Sequence, residues 1–180
     1  MNYLIKKSDT LNSISNFLFL FGMSLFFFDF ITINLTEVIK YELKGYELIL
    51  GKTYVNQSNI IQYFPVEFWG IFTFLNLSIG LFVGLLNNIK LKPYLFLLSL
   101  AGIIGLLLLQ IKFHFDYTLK NSHWTNITFE NTYWILIINY AVIGCISFID
   151  NIKTKESEIK TEHNKSTINI NIITQEKSNK

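Results

Sequence analysis

Apolar positions gather into four long runs, roughly Asn16–Ile33, Glu67–Leu86, Pro93–Ile111 and Thr132–Ile149, set apart by polar segments. Each run is near the ~20 residues that an α-helix, rising ~1.5 Å per residue, needs to cross a hydrocarbon layer of ~30 Å. The pattern predicts a membrane all-α fold, an antiparallel four-transmembrane-helix bundle. Its helices would cover about 13–33, 66–87, 93–111 and 132–150, with outer loops 34–65 and 112–131 and a polar tail 151–180. Lys6 and Lys7 precede the first run, but the run is long and has no small-x-small cleavage site, so it reads as a retained helix rather than a signal peptide.

The outer loops change period from helical to two. In the first, the triplet Tyr-Glu-Leu occurs at 41–43 and again at 46–48, and apolar residues alternate at Ile39, Tyr41 and Leu43, then at Tyr46, Leu48 and Leu50. Alternation on both sides of Lys44-Gly45 predicts a hairpin that pairs Leu43 with Tyr46 and Glu37 with Lys52. That register sets Glu42 opposite Glu47, an unfavourable pair of like charges. In the second loop, Phe113, Phe115, Tyr117 and Leu119 alternate, and a second alternating run extends from Trp124 to Phe129. Because an isolated hairpin is marginal in water, the two loops are expected to join in one small extracytoplasmic β-sheet of three or four strands, lying on the outer helix ends.

The tail contains no aromatic residue and is rich in Lys, Glu, Asn, Ser and Thr. A short helical extension over Lys153–His163, with Glu156 paired to Lys160, is expected, and disorder beyond Asn164.

Lysine placement orients the chain. Lys6, Lys7, Lys90, Lys92 and six lysines of the tail fall on one side, against Lys40, Lys44, Lys52, Lys112 and Lys120 on the other, in longer loops. The excess places both termini in the cytoplasm. Tyr63, Phe64, Phe68, Trp69, Tyr133 and Trp134 would then form an outer aromatic belt. Pro93 suits the first turn of the third helix, where its missing N–H costs nothing.

Composition narrows the function. Charged residues make up 16% of the chain, against about 25% in soluble domains. The net charge of +2 with no basic stripe excludes nucleic acid as a partner. No arginine is present, which removes bidentate recognition of phosphate or carboxylate. The single cysteine, Cys145, excludes an intramolecular disulfide and paired-thiol chemistry; beside Gly144 in an apolar run, it is expected to be a buried small hydrophobe. No nucleophile-elbow, zincin, P-loop or dinucleotide-binding pattern occurs, so neither an enzyme nor a cofactor is expected.

Candidate polar chemistry within the runs is sparse. Asp29, Asn76 and Asn139 would serve transport if they converged on one cavity, since ionisable residues in membrane helices often mark ion or proton paths. Asp29 lies only four residues from Ile33, where capping or pairing with a loop lysine is the alternative. Gly80 and Gly84 have the GxxxG spacing, and Gly102 and Gly105 give the third run a small face, so these mark helix packing. Glu67 fits a first helical turn. His114, Asp116 and His123 share a loop, without the fixed geometry a metal site needs.

Gly45-Tyr46-Glu47-Leu48 in the first outer loop, and Tyr133-Trp134 at the start of the last run, resemble the corresponding elements of small, mostly uncharacterised four-helix bacterial membrane proteins. The resemblance covers the chain to about Asp150 and departs from the pattern in a longer, more polar second loop. It implies a multi-pass protein of the bacterial inner membrane and no activity. The expected role is that of an accessory or interaction protein whose outer sheet or cytoplasmic tail contacts a membrane protein or a second copy of itself, with Gly45, Tyr46 and Glu47 as the outer-loop contact. A small-solute or ion transport component, or an immunity or stress-protection protein, are the alternatives.

Overall fold

The computed structural model describes residues 2–34, 40–55, 61–86, 88, 91–119 and 126–153. In chain order the elements are α1 (Asn2–Leu25), β1 (Asp29–Asn34), β2 (Lys40–Lys44), α2 (Gly45–Leu50), β3 (Lys52–Val55), β4 (Ile61–Phe64), α3 (Phe68–Leu85) and α4 (Lys92–Phe113). A wider π-helical turn, His114–Leu119, continues α4 and is followed by β5 (Asn126–Phe129) and the last helix, α5 (Asn131–Lys153). The described chain is mostly helical, with two small antiparallel sheets.

The four long helices pack side by side with alternating direction. Asn12 of α1 reaches Gly84 of α3, Lys112 of α4 reaches Glu67 ahead of α3, Lys92 of α4 reaches Asp150 of α5, and Asn139 of α5 reaches Leu18 of α1. Phe19, Leu77, Leu106, Leu136, Tyr140 and Ile143 fill the space between them. Among the described residues, three helices, at Phe68–Leu85, Lys92–Asp116 and Asn131–Lys153, are long and apolar enough to cross a membrane. The outward faces point the same way: Phe17, Leu75, Phe82, Leu97, Leu107 and Ile138 are large, apolar and exposed, a covering that suits lipid rather than water.

The first helix departs from expectation at its C-terminal end. A helix to residue 33 is predicted; α1 instead stops at Leu25, and Phe26, Phe27 and Phe28 donate to Met23, Ser24 and Leu25 carbonyls in a tightened final turn. Asp29 therefore opens a strand and does not lie in a helix. The cause is the run Phe30-Ile31-Thr32-Ile33, rich in residues that favour the pleated sheet and buried throughout. As the central strand of the order β2-β1-β5, β1 is covered on both faces, and a strand of that kind is apolar without alternation.

The loops differ from the predicted hairpins too. β2 pairs with β1, Thr32 facing Glu42 and Ile33 facing Tyr41, so Glu42 and Glu47 never sit opposite each other. Tyr46–Leu50, expected as a strand, belongs to α2. The alternating run from Phe113 continues α4 as a π-helical turn, because the preceding helix carries the backbone through it. β5 pairs with β1, Thr128 facing Thr32, so both outer loops do meet in one three-stranded sheet, with the end of the first apolar run between them. A second hairpin, β3–β4, packs on β2 through Tyr41, Tyr54 and Phe64, whose ring centroids lie 4.9–5.8 Å apart. Residues 154–180, with the expected helical extension and disorder, lie outside the described residues, as do His123 and Trp124.

Candidate functional site

Two ion pairs stand at opposite ends of α4. Lys112 Nζ is 2.6 Å from Glu67 Oε2 at the sheet end, and Lys92 Nζ is 2.8 Å from Asp150 Oδ2 at the other. The two lysines are about 20 residues apart, ~30 Å of helix, which is the thickness of a bilayer's hydrocarbon core. Between the two levels the chain is free of Asp, Glu, Lys and His: residues 10–28, 68–89, 93–111 and 131–149 contain none.

The pairs differ electrostatically. Glu67 precedes the first residue of α3 and Lys112 lies in the last turn of α4, each where the helix dipole favours its charge. Lys92 starts α4 and Asp150 is near the end of α5, each where the dipole opposes its charge. Burial pushes the Glu67 carboxyl above the ordinary carboxylate range, and Lys112 pulls it back without cancelling the shift. Because its folded-state value is raised, ionisation of Glu67 costs the folded state, and stability falls as pH rises from the ordinary carboxylate value through the raised one. Lys112→Met should carry the shift further. The protonated-carboxyl infrared band of Glu67, assigned by its loss in Glu67→Gln, is expected to persist to higher pH in that variant than in the parent.

Between the pairs, most polar side chains bind backbone carbonyls. Tyr133 Oη donates to Leu106 O and Tyr140 Oη to Thr73 O, both at 2.8 Å, tying α5 to α4 and to α3. Asn76 Nδ2 donates within its own helix to Phe72 O at 3.1 Å, and Asn139 Nδ2 crosses to Leu18 O at 3.0 Å. Asp29 stays with the sheet, paired in register with Lys44, and no hydrogen bond or ion pair joins it to Asn76 or Asn139 among the described residues. The proposed polar triad is thus split between bundle and cap.

The packing glycines face three different neighbours. A Cβ on Gly80 would enter the ring of Phe19, and one on Gly84 would enter the carboxamide of Asn16, both on α1. On α4, Gly102 lies against the ring of Tyr140 of α5, and Gly105 against Phe72 and Thr73 of α3.

The Gly45-Tyr46-Glu47 element forms a joint and not an open contact. Gly45 and Tyr46 donate to the Phe28 and Phe26 carbonyls, and a Cβ on Gly45 would stand 2.7 Å from the Phe26 Cα. Buried Glu47 accepts from the Lys44 N–H at 2.8 Å and pairs with Lys52 at 2.6 Å. Lys52 in turn lies 4.3 Å from the centre of the Tyr54 ring, and the Tyr54 hydroxyl donates to Glu42 O. Leu48 O accepts from the Glu67 N–H, which fixes the entry to α3. Glu47→Ala should therefore cost about 1.5–3 kcal/mol, the worth of hydrogen bonds to a charged group, read as a lower unfolding midpoint in detergent.

Cys145, expected to be buried, is exposed on α5 and lines an apolar groove of about 300 Å³ between α4 and α5, with Phe96, Leu100, Ala141 and Phe148. Among the described residues no cluster of three His, Cys, Asp or Glu side chains could hold a metal ion. The partnership of Lys112 with Glu67 and of Lys92 with Asp150 escaped sequence reasoning, although the charge-free runs that they bracket are readable in the sequence. The chain matches no known protein family and no characterised protein.

Proposed function

We propose that this is a non-enzymatic, multi-pass protein of a bacterial inner membrane, an antiparallel bundle of four membrane-crossing helices with both termini cytoplasmic. It acts as an accessory protein, meeting a membrane protein partner through its extracytoplasmic cap. The observation that carries this reading is the fate of the charges. Among the described residues, the buried charged side chains Glu47, Glu67, Lys92 and Asp150 are each held in an ion pair that joins one element to another. Charge here serves architecture, and the remaining surface of the cap is left for contact.

With Gly45 and Glu47 consumed inside that cap, its outward residues include Lys40, Glu42 and Tyr63. A photo-crosslinking residue at Glu42 or Tyr63 is expected to give a discrete adduct in intact membranes, and one at the outward Leu97 of α4 to give lipid adducts only. Absence of a discrete adduct from both cap positions would overturn the accessory reading. A transport role keeps one supporting observation, the buried and unpartnered Oδ1 of Asn139, since a group of that kind is what a transported solute would engage.

A further inference from the structure

Three buried side-chain oxygens or hydroxyls have no hydrogen-bond partner among the described residues: Asn16 Oδ1, Asn139 Oδ1 and Ser147 Oγ. They are not scattered. Asn139 and Ser147 lie on α5, separated by about two turns or ~12 Å of rise. Asn139 donates to Leu18 O, and Asn16 is two residues before Leu18 on the antiparallel α1, which places it at a level between the other two. All three therefore fall in the half of the bundle that runs from its middle to the Lys92–Asp150 pair.

The opposite half is closed. There the Tyr133 and Tyr140 hydroxyls and Thr73 are bound to backbone carbonyls. Asn12, Ser15, Asn139 and Ser147 are buried in the one half, where Asn16 lies against Gly84 and Ser99 against Gly144.

We infer that Asn16, Asn139 and Ser147 line a site for bound water, a hydrated file running inside the bundle from the Lys92–Asp150 end to Asn139. The inference rests on the four-span reading above. Its chemistry follows from the unpartnered atoms. Two are amide oxygens that only accept, one is a hydroxyl that does both, and all are neutral. The charge of Asp150 is already matched by Lys92. A bare cation would find no countercharge, whereas water donates to the amides and bridges to the hydroxyl, and buried water typically takes two to four such partners. Three unpartnered oxygens in a dry interior would be costly in a bundle whose only other surroundings are lipid.

Cysteine accessibility tests this in membranes of oriented vesicles. In a Cys145→Ala background, Ser147→Cys and Asn16→Cys are each treated with a small, charged, membrane-impermeant thiosulfonate. Ile138→Cys on the exposed face of α5 is the lipid-facing control. Modification needs a hydrated thiolate, so the two inward cysteines are expected to react at least about tenfold faster than the control, and only from the side carrying the Lys92–Asp150 pair. Inward cysteines as slow as Ile138→Cys, in variants that still elute as a single species, would show a dry interior and overturn the water file while leaving the four spans intact. Rapid reaction at Ile138→Cys would instead overturn the four-span reading, and the inference with it.

Discussion

Lys92→Met is expected to destabilise the protein by about 3–5 kcal/mol, and Lys92→Met combined with Asp150→Leu to recover most of that loss. The side chains of Lys92 and Asp150 are only 7% and 9% exposed. Removing the lysine leaves a carboxylate buried without its cation, at the end of α5, where the helix carbonyls already repel negative charge. Removing the aspartate leaves an ammonium facing the N–H groups that open α4. Each charge stands against its own helix dipole and is offset by the other, so the single substitutions should be severe and the double one mild. Reversible unfolding in mixed micelles would measure both, and the coupling follows from the double-mutant cycle. Single variants that each lose less than about 1 kcal/mol would behave as exposed surface pairs do, and would contradict the burial. Lys112→Met provides the contrast. Lys112 is 38% exposed and its pair agrees with both helix dipoles, so its loss should cost less.

That pair also shows what could be read in advance. The long runs at 68–85, 92–113 and 131–153 are legible because helix length and lipid-like composition are properties of one segment at a time. The break after Leu25 is not. Phe26 to Ile33 is as apolar as the helix it follows, and only its pairing with β2 and β5, which start several residues away and far along the chain, makes it a strand. Asp29 is the one local sign, a charge that interrupts the apolar run where the strand begins.

The cap departs from its local pattern for a related reason. Period two around Lys44-Gly45 suggests a hairpin when the segment is considered alone, but Glu47 can cap the Lys44 N–H only if the chain turns helical at Gly45. Gly45 then fits against Phe26, a contact with a residue in the preceding apolar run. The motif Gly45-Tyr46-Glu47 was visible as a distinctive element, but its role depended on three segments meeting. Ion-pair partners such as Lys112 and Glu67 are likewise set by antiparallel packing, which sequence spacing does not specify.

The packing glycines allow a sharper test. Gly102→Leu is expected to cost about 3 kcal/mol or more, at the upper end of overpacking effects. A Cβ at Gly102 would already lie within the Tyr140 ring, and that ring is fully buried and anchored by its hydroxyl to Thr73 O. It cannot rotate away without losing that bond. Helices in lipid gain little from burying apolar surface against one another, so close packing is a main source of their association, and a wedge at this contact should separate α4 from α5. Gly144→Ala serves as the control. The nearest atom to its added methyl is the Ser99 Oγ at 2.8 Å, the end of a small side chain that can turn, so the effect should be below about 1 kcal/mol. If the Gly102 clash is the cause, Tyr140→Leu should relieve it, and Gly102→Leu with Tyr140→Leu should cost less than the sum of the two single changes. Strict additivity would mean that Gly102 and Tyr140 do not touch, and would separate the two helices that the bundle requires to be in contact.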